Sequence, residues 1–252
     1  MRNAGCGPET GDIARHASLR TTTPGVSKRG AGASDLRLPS SRDLETLYRR
    51  MLDAMGPTGW WPADTTYEIM VGAVLIQNTA LGNVERSLDR LRDAGALDPD
   101  AIAAMDAQTL QELIRPSGFQ RNKSRTLQSL ADWYRRRFDC DPDRASGVDD
   151  AALRRELLGL FGIGGETADV ISLYVFGRRA FVADTYARRL LTFLGYRLPD
   201  GYPKFHDAVI GAVLASGLTV ADLKEFHGLI DEYGKIHRDD DAKAASFLGR
   251  PA

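Results

Sequence analysis

One stretch of the 252-residue chain holds residue types that could do chemistry together. Leu160–Tyr186 reads LFGIGGETADVISLYVFGRRAFVADTY, and a lone acid, Asp184, follows Glu166 by 18 residues. In its opening turn Gly162 and Gly164 flank one apolar residue, Ile163, just before a helix. Glycine permits positive φ and close approach of another backbone. The first N–H groups of a helix lack internal partners and lie at its positive end, where a phosphate oxygen binds well. The turn therefore reads either as an ordinary helical joint or as a phosphate grip that Ile163 anchors in the core. Asp184 sits after Phe181-Val182-Ala183 and before Thr-Tyr-Ala-Arg-Arg-Leu, a helix start. It reads as an N-cap accepting a backbone N–H. It also reads as a carboxylate aimed at a sugar, stabilising an oxocarbenium-like cation or orienting water. The two roles are compatible.

Other residues add to this inventory. Trp60 and Trp61 stand side by side in Gly59-Trp60-Trp61-Pro62. They are either packing residues or flat faces for a cationic ligand, a contact worth roughly 0.5–2 kcal/mol. Glu166 reads as a first-turn acid complementing the helix dipole, or as a charge favouring a cationic ligand. Gln77 is a helix-joint amide or a polar probe, and Phe119 a core residue or an exposed wedge. Arg121, Lys123 and Arg125 form one basic cluster, and Arg178, Arg179, Arg188 and Arg189 another. Each is explained by a solvated helix face, but the two bracket the candidate site and together suit phosphate binding. His16, His206, His227 and His237 lack any metal-ligand spacing, so no metal site is expected.

The elements that must position these groups are helical. Leu44, Leu47, Tyr48, Met51 and Leu52 mark one amphipathic face. Helical spacing recurs near 66–76, 80–94, 106–114, 121–138, 150–159, 165–176, 185–194, 203–216 and 219–235. Gly56-Pro57, Pro116, Gly118, Gly162, Gly164, Gly177 and Pro199 punctuate the joints. No stretch alternates long enough to demand a sheet, so the chain reads as all-α, without an internal repeat.

Composition narrows the class. A hydrophobic content of 43% supports one large domain or two lobes with real cores. The net charge of −1 gives no global pull toward nucleic acid and leaves only local patches for that purpose. Cys6 and Cys140 are too few and too far apart for a disulfide framework, which suits a reducing cytoplasm. No apolar run approaches the roughly 20 residues of a membrane span, and no secretory signal is expected. Residues 1–42 carry seven basic against three acidic residues with no period, and read as a disordered basic tail.

Gly-Ile-Gly-Gly-Glu-Thr-Ala-Asp followed by Val-Ala-Asp-Thr-Tyr resembles the helix-hairpin-helix DNA glycosylase superfamily, which includes endonuclease III. Val74-Leu75-Ile76-Gln77-Asn78-Thr79 resembles that family's duplex-inserting segment, and Gly118–Ser124 its second DNA-probing loop. The resemblance covers about residues 43–238, with the motifs in the family's order. It implies a two-lobed fold: a six-helix barrel-like lobe over 63–176, and a second lobe pairing 43–62 with 177–238. Residues 239–252 would be a C-terminal tail.

Two departures from endonuclease III refine the likeness. That enzyme has a strand-cleaving lysine where Glu166 stands, and a carboxylate cannot form a Schiff base. It also closes with four cysteines holding an iron–sulfur cluster, whereas Tyr233–Asp241 has none, so no cluster is expected. Both departures are similar to the 3-methyladenine DNA glycosylase branch, which also carries the tryptophan pair. That branch implies a base pocket of Trp60, Trp61 and Leu81, where leucine removes one aromatic face, with Glu166 beside it. It further implies catalysis by Asp184 with Glu166, DNA contacts from Gln77, Phe119, Lys123, Gly162, Ile163, Gly164 and Arg188, and a modified lysine for which Lys235 is the candidate. The implied partner is double-stranded DNA with a damaged base. The implied protein is a cytoplasmic, nucleoid-associated monomer whose product passes to an AP endonuclease.

Overall fold

A computed structural model describes residues 36–249. Helix α1 (Ser41–Met55) starts because the Ser40 side chain accepts the Asp43 N–H while Asp43 reaches back to Ser40. The same reciprocal cap, Thr219 with Asp222, opens α11 (Val220–Ile236). The two helices then pack together, and the Tyr48 hydroxyl donates to Asp222 at 2.9 Å. Leu44, Leu47, Tyr48 and Met51 are buried, one face of α1 as the periodicity predicts.

Two helices are apolar nearly all round and therefore lie inside. In α2 (Thr66–Leu75) every residue after Thr66 except Ile69 is buried, and in α8 (Gly165–Tyr174) so are Thr167 through Tyr174. They pack on each other at the centre. Around α2 and α8 lie α3 (Leu81–Asp93), α4 (Pro99–Ala104), α5 (Ala107–Leu113), α6 (Gln120–Phe138) and α7 (Asp150–Leu158). The other face of α8 meets α10 (Tyr202–Ala215) and α11, which also carry α1 and α9 (Thr185–Phe193). Helix α8 thus belongs to both packing groups. Among the described residues there is no strand, only an isolated antiparallel bridge between Arg37 and Arg197.

The fold class is all-α as the sequence implies, and three local details differ from expectation. Helix α4 lacked a long apolar period, but Asp98 caps it and Pro99 opens it, a start signal present in the sequence. The expected tail over 1–42 lies outside the described residues up to position 35, but residues 36–42 are held by the Arg37 bridge and the Ser40 cap. The expected C-terminal tail contains α12 (Asp240–Ala245), capped by Asp239. It docks through the Tyr233–Ser246 hydroxyl contact at 2.8 Å and the buried Leu248.

The hairpin between α7 and α8 needs its first glycine. Gly162 has φ +77°, and a Cβ there would sit 2.1 Å from Thr126 Oγ1. Gly162→Ala should therefore lower unfolding free energy by about 1–3 kcal/mol in denaturant titration. Adding Thr126→Ala should recover only part of the loss, because the left-handed backbone remains.

Candidate active site

Asp184 sits where the buried segment Ala180–Ala183 turns into α9. Its Oδ1 accepts the Ala187 N–H at 2.7 Å, so the capping role is real. The same residue lines an open cavity of about 260 Å³ with Glu166, Ala183, Thr185, Arg188, Gly201 and Tyr202. The carboxyl is half-buried, touched by solvent at the cavity yet closely surrounded by protein. Desolvation is the main cause that pushes it up to about 7; the Ala187 N–H pulls it down, and the charges of Glu166 and Asp231 push it further up. A carboxylate poised near neutrality in a cleft is a candidate for proton or charge chemistry.

Glu166, in the first turn of α8, accepts a hydrogen bond from Gln77 Nε2 at 3.2 Å. That contact joins the hairpin to the segment after α2, 89 residues away in sequence. A second cavity of about 240 Å³, tied to the first by that bond, is lined by Gln77, Asn78, Phe119, Phe161 and Gly162 among others. The fold therefore brings Gln77, Phe119 and the hairpin onto one surface. Phe119 is 64% exposed at φ +48°, a backbone setting that bulky residues rarely adopt. A strained, solvent-facing ring of this kind suits a wedge. Ile163 is buried and anchors the turn, whereas Gly162 and Gly164 are exposed. Sequence reasoning missed Phe161, an exposed ring beside Gly162 with the Arg125 guanidinium 3.8 Å from its centre. Its signal was an apolar residue immediately before the glycine turn.

Several cations do not stand free as expected. The sequence implies a DNA contact for Lys123, but it is buried and its ammonium donates to Leu75 O and Ser117 O, both at 2.8 Å. Those carbonyls lie two residues before Gln77 and Phe119 respectively, so Lys123 braces the two segments against each other. Burial lowers its pKa. Arg178 bonds Ala145 O and Asp150, and Arg179 bonds three carbonyls near the end of α10. Arg188 lines the Asp184 cavity while its guanidinium is held by Pro199 O and Gly201 O at 2.8 and 3.3 Å. Arg121, Arg125 and Arg189 remain exposed.

The tryptophan pair sits at the junction between the two packing groups. Trp61 lies against Gly72 of α2 and meets Tyr174 of α8 edge-on at 5.8 Å. Trp60 lies against Gly228 of α11, tilted toward Trp61 at 5.4 Å. The Trp60 indole N–H is buried without an acceptor. Lys235 stands 4.7 Å over the Trp60 ring, itself paired with Asp231 at 2.7 Å and Glu232 at 2.9 Å, which raise its pKa. Neither tryptophan lines the cavity of Asp184; Trp61 meets Tyr174, whose ionisation is opposed chiefly by burial and further by the charges of Glu225, Asp231 and Asp184. Leu81 stands exposed at the first turn of α3, outside both cavities.

A family model described as HhH-GPD superfamily base excision DNA repair protein matches residues 71–206. A candidate DNA repair glycosylase of Methanocaldococcus jannaschii is 36% identical over 190 residues, 75% of this chain and 86% of that protein. Endonuclease III of Sulfolobus acidocaldarius is 28% identical over 170 residues, covering 67% of this chain and 72% of that protein. Among solved structures, H. pylori 3-methyladenine DNA glycosylase bound to 1,N6-ethenoadenine aligns with TM-score 0.62 at 29% identity, covering 77% of this chain and 95% of that one. A trapped endonuclease III–DNA covalent intermediate aligns with the same TM-score, 0.62, at 22% identity over 80% of this chain and 89% of that one, a likeness of fold.

Two outcomes follow from this geometry. Lys123→Met keeps the aliphatic stem but leaves two carbonyls without their donor, and should cost about 2 kcal/mol or more in denaturant titration. The folded-state value of Asp184 lies above its unfolded value of 3.8, so ionisation penalises the folded state. That penalty is absent below about 4, grows as pH rises to about 7, and is complete above it. Asp184→Asn should therefore raise Tm at pH 8 relative to wild type, with little difference at pH 4.

Proposed function

The chain belongs to the HhH-GPD superfamily of base excision DNA repair proteins, and from that membership we propose a monofunctional DNA glycosylase that releases alkylated purines. The observation that carries the reading is the grouping of Gln77, Glu166 and Asp184 around two cavities joined by the Gln77–Glu166 bond. Chemistry on a base in a duplex requires that the nucleotide be extruded, at a cost of a few kcal/mol. Gln77 fills the gap left in the stack, Phe119 presses on the opposite strand, and Gly162 and Gly164 hold a phosphate at the N-terminus of α8. The exposed Arg121, Arg125 and Arg189 supply the backbone attraction.

Asp184 then acts as an ionised carboxylate. The bond from C1′ to the base nitrogen breaks and its electron pair leaves with the base. The carboxylate stabilises the sugar cation and orients the water whose oxygen bonds to C1′, its proton passing to the carboxylate and on to solvent. A purine alkylated at N3 or N7 is already cationic in DNA, so the leaving group needs little protonation. The negative charges of Glu166 and Asp231 near Asp184 favour such a base. The likeness to the H. pylori 3-methyladenine DNA glycosylase, 29% identical, supports this choice of substrate. Glu166 occupies the hairpin position at which a lyase needs an amine, and a carboxylate cannot supply one. Two cysteines cannot provide four thiolates, so no iron–sulfur cluster is proposed.

A panel of lesion-bearing duplexes, scored for free base with and without alkali, tests this reading. Alkylated purines should be released with strictly alkali-dependent strand breaks. The rate should rise with pH through about 7 as Asp184 ionises. Asp184→Asn should lose about 100-fold or more. A covalent adduct after borohydride reduction on abasic DNA would establish lyase chemistry instead. Unchanged release in Asp184→Asn, or no release in either protein, would point to a non-catalytic binder of damaged DNA.

A further inference from the structure

Tyr202 is not explained by the site just described, though it lines the same cavity as Asp184. Its hydroxyl is engaged in both directions. It accepts the N–H of Ala183, the residue before Asp184, at 3.2 Å, and it donates to Asp169 Oδ2 at 2.9 Å. Asp169 is fully buried on α8 and is held by Arg154 of α7 through two bonds of 2.7 and 3.2 Å, with His206 at 3.5 Å. The tyrosine ring also rests on the hairpin: a Cβ at Gly165 would lie 2.7 Å from Tyr202 Cδ1. One side chain therefore touches the hairpin helix, a buried ion pair and the backbone that presents the acid.

We propose that Tyr202 is a positioning residue for Asp184, transmitting the fixed frame of Arg154 and Asp169 to the Ala183–Asp184 peptide. Calling Asp184 the acid so positioned rests on the catalytic reading above. The physical reason is rigidity. A hydroxyl that must serve one donor and one charged acceptor has a single orientation, and the acceptor cannot shift because its other oxygen is clamped by a guanidinium. The segment Ala180–Ala183 has no helix of its own to hold it. Without the hydroxyl the Ala183 N–H loses its partner, the peptide loosens, and water reaches the carboxylate that desolvation now governs. The groups facing Asp184 are Glu166 and Tyr174 from α8, Arg188 from its own helix, Tyr202 from α10 and Asp231 from α11. Removing one uncharged hydroxyl leaves all of those charges in place, so a change in Asp184 titration reports position and hydration.

Carboxyl-carbon NMR titration of Asp184 in the full chain, without DNA, is the primary test. Wild type should titrate near 7, and Tyr202→Phe should fall by about one unit or more toward the ordinary carboxylate range. Single-turnover base release at saturating enzyme should drop about tenfold to a hundredfold, while binding of a tetrahydrofuran abasic analogue changes little. Tyr233→Phe removes a comparable buried hydroxyl bond, to Ser246, and should leave both readouts at the wild-type values. Should Tyr202→Phe fail to fold, Gly165→Ala decides. Gly165 carries no positive φ, so alanine suits the helix while displacing the Tyr202 ring, and the same fall in titration is expected. An Asp184 titration unchanged in both variants overturns the inference. A wild type that releases no base while the titration still falls in Tyr202→Phe defeats the glycosylase reading and leaves the positioning role standing.

Discussion

The bond from the Ala187 N–H to Asp184 constrains much of what surrounds it. A helix start needs an acceptor, and a carboxylate serving as one is held by backbone that cannot easily move. That settles direction but brings the charge against protein atoms, where desolvation opposes ionisation. The surroundings are arranged about this conflict. The open cavity keeps one side wet, and Arg188 stands at its rim. Glu166, by contrast, adds a second negative charge nearby. An acid that is difficult to ionise in the free protein binds more strongly to a positive centre than a relaxed, well-hydrated one does.

Helix α8 explains how such a strained arrangement persists. It is buried along almost its whole length and packs against α2, α7, α10 and α11. Its half-buried beginning carries the hairpin, its middle carries Asp169, and its end carries Tyr174. Glu166, Asp169 and Tyr174 therefore hang from one rigid rod. Cations are used inward in the same spirit. Lys123, Arg178, Arg179 and Lys224 all donate to backbone carbonyls in loops or at helix ends. Each satisfies acceptors that a helical fold leaves over at its termini. A count of basic residues consequently overstates the charge available to a phosphate surface.

Much of this was legible in the sequence, for physical reasons. The apolar face of α1 announced itself by period, and the glycines of the hairpin by a requirement no other residue meets at position 162. Asp184 was readable as both cap and acid, because each role needs the same group at a helix start. What escaped had no local signature. Lys123 looks like any surface lysine until α2 and the turn at Ser117 arrive to bury it. Tyr202 gave no hint because its partners, Ala183 and Asp169, are 19 and 33 residues away. Short α4 lacked enough turns to show a period, although its cap and proline marked its start. Helices report themselves through neighbours in sequence, while polar braces depend on neighbours in space.

The closure of α1 onto α11 has a consequence for how the chain comes into being. Leu44, Leu47, Tyr48 and Met51 find their cover on helices that lie more than 150 residues later in the sequence. On a ribosome adding roughly 5–20 residues per second, that wait is on the order of ten seconds or more. Throughout it the α2–α8 group can assemble from its own segments, while the greasy stripe of the first helix stays uncovered. Biosynthesis thus passes through a stage in which half the protein is built and its opening helix is adhesive, an opportunity for chaperone attention that the finished molecule does not display.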